Sequence, residues 1–373
     1  MNVPQFEPFV GKEEYEAIKD CFDNNWITEG PKAEEFKKKI CESLNAKYGV
    51  FAPNGTLALY LGLRALGIGK GDEVIVPDCT FIASANAVEM VGATPIFVDV
   101  NRLNFQIEVS DCERVVSEKT KAVMPVHLYG MAANMDSVMK FANNKNLLVI
   151  EDAAQALGIR YRAKFCGTFG EVGTFSFFAD KTITTGEGGF VVTNNGDIHQ
   201  KLLYLRNQGR TERGTFIHPE IGYNFRMTDI QMAIGLVQWG KFKGIADRKR
   251  AIYQLYREKL SNIGQVKFTT IEPCSEFIPF RVTILCDDAH KVMAYMSSKN
   301  IQPRTFFYPL HKQPCFQYLN NDRDWFDRCE DKYFPNATYG YEHGICLPSF
   351  AALKEEQIDY VCNTIKGYYE NNQ

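Results

Sequence analysis

Lys181 stands between two apolar runs in the stretch GTFSFFADKTITTGEGGFVVTN (173–194), with an acid, Asp180, beside it and Gly186, Gly188 and Gly189 after it. The pattern predicts a strand over Thr174–Phe178, a polar turn carrying one lysine, and a second strand over Phe190–Thr193. Side chains at strand ends open on the mouth of a sheet, and glycines let a ligand or another backbone approach closely. A lysine partly withdrawn from water has a lowered pKa, which suits its amine to Schiff-base chemistry. A solvated surface lysine is the bland alternative, and the other motifs bear on the choice.

Three of these motifs follow apolar runs. Asn54-Gly55-Thr56 opens a predicted helix, where free backbone N–H groups and a positive dipole end form a ready phosphate site or a plain N-cap. His127-Leu128-Tyr129-Gly130 follows the run at 122–126. Asp152-Ala153-Ala154-Gln155 closes the run at 147–152. An acid at the end of a buried strand needs a cation, which a metal, an arginine or a protonated ring nitrogen would supply.

The elements that must position these groups come from a repeated pattern of short apolar run, turn and helix. The runs are 48–52, 73–77, 95–100, 122–126, 147–152, 174–178 and 190–193, with helices at 56–66 and 81–91 between the early ones. Strands alternating with helices predict a mostly parallel sheet covered on both faces, whose ligands bind outside the carboxyl ends of the strands. Too few residues separate the last two runs for a helical crossover, so the final strand is expected to be antiparallel. Before the sheet, 12–24 reads as a helix with Tyr15, Ile18 and Phe22 on one face, and a second helix covers 33–44. After it come an apolar helix at 230–239 and a charged helix at 245–260 that connects to a second domain. That domain holds strands in PFRVTIL and GICLP, a helix at 289–299, and a final helix in which Ile358, Val361, Cys362, Ile365 and Tyr369 trace an apolar stripe. The expected division is 1–245 and 246–373.

A chain of 373 residues fits one large and one smaller domain, and 45% hydrophobic with 23% charged residues is enough for a sizeable core. Net charge is −3 with no long basic run, which argues against nucleic acid or an anionic membrane as partner. No run is apolar for long enough to span a membrane, and the first residues lack the basic-then-apolar order of a signal peptide. The eleven cysteines form no C-x-x-C pair, and several sit in apolar segments, as expected of reduced thiols in a cytoplasmic protein. G-x-G-x-x-G after the first strand and Walker A are absent, and no H-E-x-x-H or comparable cluster suggests a metal.

Taken in order, N-G-T, F-I-A-S-A-N-A-V, H-L-Y-G, E-D-A-A-Q-A-L-G, G-T-F-S-F-F-x-x-K-x-I-T-T-G-E-G-G and G-Y-N-F-R-M resemble the DegT/DnrJ/EryC1/StrS family of pyridoxal-phosphate sugar aminotransferases over nearly the whole chain. The resemblance implies an α/β protein of aspartate-aminotransferase fold type I. Its large domain would hold a mostly parallel seven-stranded sheet between helices, with a smaller C-terminal α+β domain. Lys181 would carry pyridoxal 5′-phosphate as an internal aldimine, and Asp152 would pair with the pyridine nitrogen. Gln155 would bond the ring's 3-oxygen, and Phe81 would stack on the ring. Gly55, Thr56 and Ser176 would hold the phosphate, with Asn224 reaching it from the partner subunit of a homodimer with shared active sites. Ser176 alternates with Phe175 and Phe177, so its side chain leaves the opposite face of the strand. Candidates for the sugar nucleotide are Trp26, Thr28, His127, Arg226, Arg304, Tyr308 and His311.

Within the family, TFSFFADKTITTGEGG, LRNQG and RTFFYPLH look most like the 4-aminotransferases that make perosamine on GDP for surface polysaccharides. The implied reaction has two halves. L-glutamate leaves its amino group on the cofactor as pyridoxamine 5′-phosphate, and a nucleotide-linked 4-keto-6-deoxyhexose then takes it up. Lys181 moves the proton in both. Alternatives are amination at C3, a UDP- or dTDP-linked substrate, the 3-dehydratases of the family, in which histidine replaces the lysine, and a non-catalytic regulator.

Overall fold

Five apolar runs make the strands β1 (Tyr48–Ala52), β2 (Glu73–Pro77), β3 (Thr94–Val98), β4 (Thr120–Val123) and β5 (Leu148–Asp152) in the computed structural model, which describes residues 1–210, 216–321 and 330–371. A small hairpin, β6 (Arg160–Tyr161) and β7 (Lys164–Phe165), leads to β8 (Val172–Ser176) and β9 (Gly189–Thr193). The seven-stranded sheet has the order β1-β9-β8-β5-β4-β2-β3. Strand β9 is antiparallel to both β1 and β8, as its short connection requires, and the remaining pairs are parallel.

Side chains alternate between two cores because the strand period is two. Val74 and Val76 of β2, Ile150 of β5 and Val191 of β9 face one core. Helices α3 (Gly55–Ala65), α4 (Ala83–Met90) and α7 (Gly196–Arg206) cover it. Ile75, Val149, Phe190 and Val192 face the other, under α2 (Pro31–Leu44), α5 (Val109–Val115) and α6 (Met135–Lys145). Every residue of β2, β8 and β9 is buried, as expected of strands covered on both sides.

The predicted helices at 230–239 and 245–260 are one helix, α8 (Asp229–Leu260), 32 residues long. Thr228 caps it through the Gln231 amide N–H, and no proline interrupts it. The Asp229 carboxylate accepts the N–H groups of Gly30 (2.8 Å), Lys32 (3.1 Å) and Ala33 (3.1 Å), so the first residue of α8 also caps α2. The far half of α8 enters a third core through Ile252 and Tyr256. There it meets α9 (Ala289–Ser298), α11 (Glu355–Asn371) and an antiparallel sheet in the order β10-β11-β13-β12. Those strands are β10 (Lys267–Phe268), β11 (Val282–Leu285), β12 (Arg304–Thr305) and β13 (Gly344–Leu347), and α10 (Pro335–His343) precedes β13. The predicted stripe of the last helix is buried here.

Helix α1 (Lys12–Asp23) turns over a different face from the one its apolar spacing predicts. Tyr15 and Phe22 are 68% and 60% exposed, whereas Glu14 and Cys21 are buried. Glu14 decides the rotation by accepting from Gln238 and Lys241 of α8, each at 2.7 Å, while it also caps its own helix through the Gly11 N–H. Among the described residues no helix is long and apolar enough to cross a membrane.

Candidate active site

The predicted motifs meet at the carboxyl edge of the large sheet. Asn54 caps α3 by accepting the Leu57 N–H at 2.9 Å, which leaves the Gly55 and Thr56 amides at the helix's positive end. Gly55 packs closely on Ser176: a Cβ at position 55 would lie 3.0 Å from Ser176 Cβ and 3.2 Å from its Oγ, so any side chain there would crowd it. Ser176 therefore faces α3, and Phe175 and Phe177 enter the opposite core, as the strand alternation predicts.

Asp152 ends β5, buried, with its Oδ2 accepting from Ser84 Oγ at 2.7 Å and its Oδ1 from the Ala154 N–H at 3.1 Å. Both oxygens are fixed, yet no ion pair joins the carboxylate to a cation among the described residues. A buried anion held in this way fits a protonated ring nitrogen. Gln155 accepts the Tyr129 N–H at 2.8 Å through Oε1. Phe81 lies in the turn before α4 rather than on it, and its 56% exposure excludes a core role. Its ring sits 6.0 Å from that of Phe307.

Lys181 follows β8 by a turn. Its Nζ lies 3.6 Å from Asp180 Oδ1 and 4.5 Å from the centroid of the Phe280 ring. Burial pushes the amine's pKa down. The charge on Asp180 works against that, and Arg281 adds to it.

Two predicted substrate residues are corrected by the structure. His127 is fully buried. The Ala133 N–H donates to its Nδ1 at 3.1 Å, so Nε2 carries the hydrogen and donates to Glu151 at 2.9 Å. With both nitrogens engaged inside the protein, His127 cannot touch a substrate. Its turn is structural: Tyr129 O and Gly130 O accept the N–H groups of Phe280 and Ile278, each at 3.1 Å. Gly130 has φ +97°, and a Cβ on it would lie 2.0 Å from Ile278 O. His311 is also buried rather than on the surface. Its Nδ1 meets Asp78 Oδ2 at 2.7 Å and its Nε2 meets Asp331 Oδ1 at 2.9 Å, which likewise removes it from the substrate site.

The other candidates are exposed. Trp26, Thr28, Asn224 and Arg226 gather near the start of α8, where Thr28 O accepts the Asp229 N–H and Asn224 Oδ1 accepts from Arg226 at 2.9 Å. Arg304 and Tyr308 stand on the segment that also carries Phe307. Sequence reasoning missed Phe280, Arg281 and Lys249. Only Arg281 left a signal, a lone charge at the head of the apolar run VTIL.

A phosphate-tailed pyridinium aldehyde satisfies the helix start, the carboxylate and the amine together. The fold and site thus define a pyridoxal-phosphate-dependent sugar aminotransferase of fold type I. The profile of the DegT/DnrJ/EryC1/StrS aminotransferase family matches residues 8–366, and the chain belongs to that family. It is 39% identical over 375 residues to the GDP-perosamine synthase of Escherichia coli O157:H7, covering 99% of each chain. Two solved structures share its fold. One is DesV of S. venezuelae in complex with a ketimine intermediate, with a TM-score of 0.89, 29% identity, and 96% of this chain and 94% of that one covered. The other is the PLP-form of a putative sugar aminotransferase from Streptococcus pneumoniae, with a TM-score of 0.92, 26% identity, and 100% and 99% covered.

Proposed function

We propose that the chain transfers an amino group from L-glutamate to C4 of GDP-4-keto-6-deoxymannose, giving GDP-perosamine. The observation that carries this reading is the near-full-length identity to a GDP-perosamine synthase. The lysine at 181, where the family's dehydratases carry histidine, favours amine transfer over loss of a hydroxyl.

When bound, pyridoxal phosphate supplies an aldehyde that captures amines and a ring that withdraws electrons from the bond being broken. Lys181 Nζ would be the amine that holds that aldehyde. Freed from it, the amine would be the group placed to take up and return the proton at the donor's Cα, and the lowered pKa favours the neutral form that can accept one. Asp152, fixed by Ser84 and the Ala154 N–H, would keep the proton on the ring nitrogen. Gln155 would bond the 3-oxygen and Phe81 would pack on the ring face. The Gly55 and Thr56 amides and the Ser176 hydroxyl would hold the phosphate. Asn224, exposed on its own subunit, completes the phosphate site of a second copy, so the working unit is a homodimer. Trp26, Thr28, Arg226, Arg304 and Tyr308 hold the sugar nucleotide.

Incubating the enzyme with L-glutamate and, in turn, the GDP-, UDP- and dTDP-linked 4-keto-6-deoxyhexoses, with products read by NMR, tests this reading. The expected product is a C4-amino sugar from the GDP substrate. An amine at C3, or turnover with the UDP or dTDP sugar alone, overturns the substrate assignment. Absence of any amino sugar overturns the reaction.

A further inference from the structure

Behind the amine of Lys181 lies a group of charges that the chemistry above does not use. Asp180 Oδ2 accepts from Arg281 Nη2 at 2.6 Å, while Asp180 Oδ1 is buried, makes no hydrogen bond and faces Lys181. Arg281, 5% exposed, precedes β11 and places its guanidinium 4.4 Å from the centroid of Phe280, the ring that also lies against Lys181. Its Nη1 has no hydrogen-bond partner among the described residues. Lys249, 3% exposed on α8, donates from Nζ to Ser349 O at 3.2 Å and is in no ion pair with a carboxylate among the described residues. A cavity of about 20 Å³, the space of a water, touches Asp180, Lys181, Lys249 and Ser349.

A carboxylate alone beside Lys181 would hold the amine as ammonium, useless as nucleophile or base. A cation alone would expel the proton that the amine must carry. The structure supplies both, on different elements, with the carboxylate fixed from one side and open on the other. We propose that Asp180, pinned by Arg281, is a positioning residue whose free Oδ1 receives the Lys181 amine whenever it leaves the cofactor, and that Arg281 and Lys249 keep that acceptor from trapping the proton. This rests on Lys181 being the reacting amine. The other groups that face the set are Asp152 from the end of β5, Arg304 on β12, the Cys346 thiol on β13, and Glu7 at the rim of the cavity. Burial, with the charge of Arg281 added, brings the Lys249 pKa down to about 7, with the charge of Asp180 working against the shift.

The test is the pH dependence of Lys181 acetylation by acetic anhydride in cofactor-free protein, read by peptide mass spectrometry. Asp180→Asn should lower the midpoint of Lys181 by about one pH unit or more, and Arg281→Met should raise it. Lys249→Met should raise it less. A group acting through structure alone would not give shifts of opposite sign. Midpoints within about 0.3 unit of wild type in Asp180→Asn and Lys249→Met, or shifts of the same sign, overturn the proposal. Those two variants suffice should Arg281→Met fail to fold. Borohydride reduction of the loaded enzyme separates the two readings. Cofactor fixed on another residue sinks the reaction assigned to Lys181, whereas cofactor on Lys181 with unmoved midpoints sinks only the role of Asp180 and its partners.

Discussion

The polar groups at the mouth of the large sheet and those just behind it follow opposite rules. Behind the mouth, Glu151 and His311 have their polar atoms partnered within the protein. Glu151 accepts Gly167 N–H at 2.7 Å, Phe169 N–H at 2.6 Å, Gly170 N–H at 2.8 Å and His127 at 2.9 Å, and both nitrogens of His311 face carboxylates. At the mouth, among the described residues, Asp152 has no ion-pair partner, Asp180 Oδ1 has no donor, and the Lys181 amine stands 3.6 Å from Asp180 Oδ1. A buried polar group left short of partners costs stability, so such groups mark where a ligand completes the site. A histidine after an apolar strand reads the same in either region, and only its partners distinguish the two.

The contrast breaks most visibly at Lys181. Lys181→Arg should cut amino-sugar formation at least about a thousandfold, because an arginine can neither form the imine nor carry the proton. Its melting temperature should hold or rise, and retained turnover would end the reading. Asp152→Asn keeps the shape but cannot balance a ring cation. Turnover should fall about a hundredfold with little change in stability, seen in steady-state rates beside a thermal melt.

His127→Ala should do the reverse. It leaves the Ala133 N–H unpaired and opens a hole beside Glu151, at a cost of about 2–4 kcal/mol in denaturant titration, while the folded fraction keeps its rate. A loss of rate without a loss of stability would return His127 to the substrate site. The smallest effect concerns pH. Burial opposes charge on His311, but Asp78 and Asp331 more than offset it and hold its pKa above the usual value. The stabilisation is therefore complete below the unfolded value, about 6.5, and is lost as pH rises through the folded one. Melting temperature plotted against pH should fall less steeply in His311→Gln than in wild type over that alkaline limb.

Local chemistry was the legible part. Strands β1 and β2 fall where the apolar runs end at turn residues, Asp152 and Ser176 lie at strand ends, and Lys181 lies in the turn after β8, where the sequence puts them. Residues brought in by packing were not legible. Lys249 sits in Arg248-Lys249-Arg250 and reads as a solvated helix face, yet α8 turns it into the interior. The face of α1 was misread because a buried ion pair of Glu14 outweighed its aromatic spacing. Helix α8 was read as two because Gly240 and Gly244 punctuate its apolar pattern, yet the helix runs on through both.

That uninterrupted helix has a consequence for how such an enzyme can be altered. At about 1.5 Å per residue it is a rod of roughly 48 Å, tied at one end to the start of α2 and at the other to the third core. A gene crossover inside it would join two halves whose flanks were shaped against different neighbours, and fragments divided there would each expose a greasy stump. Shuffling with relatives therefore has to exchange the rod entire, together with everything seated on it.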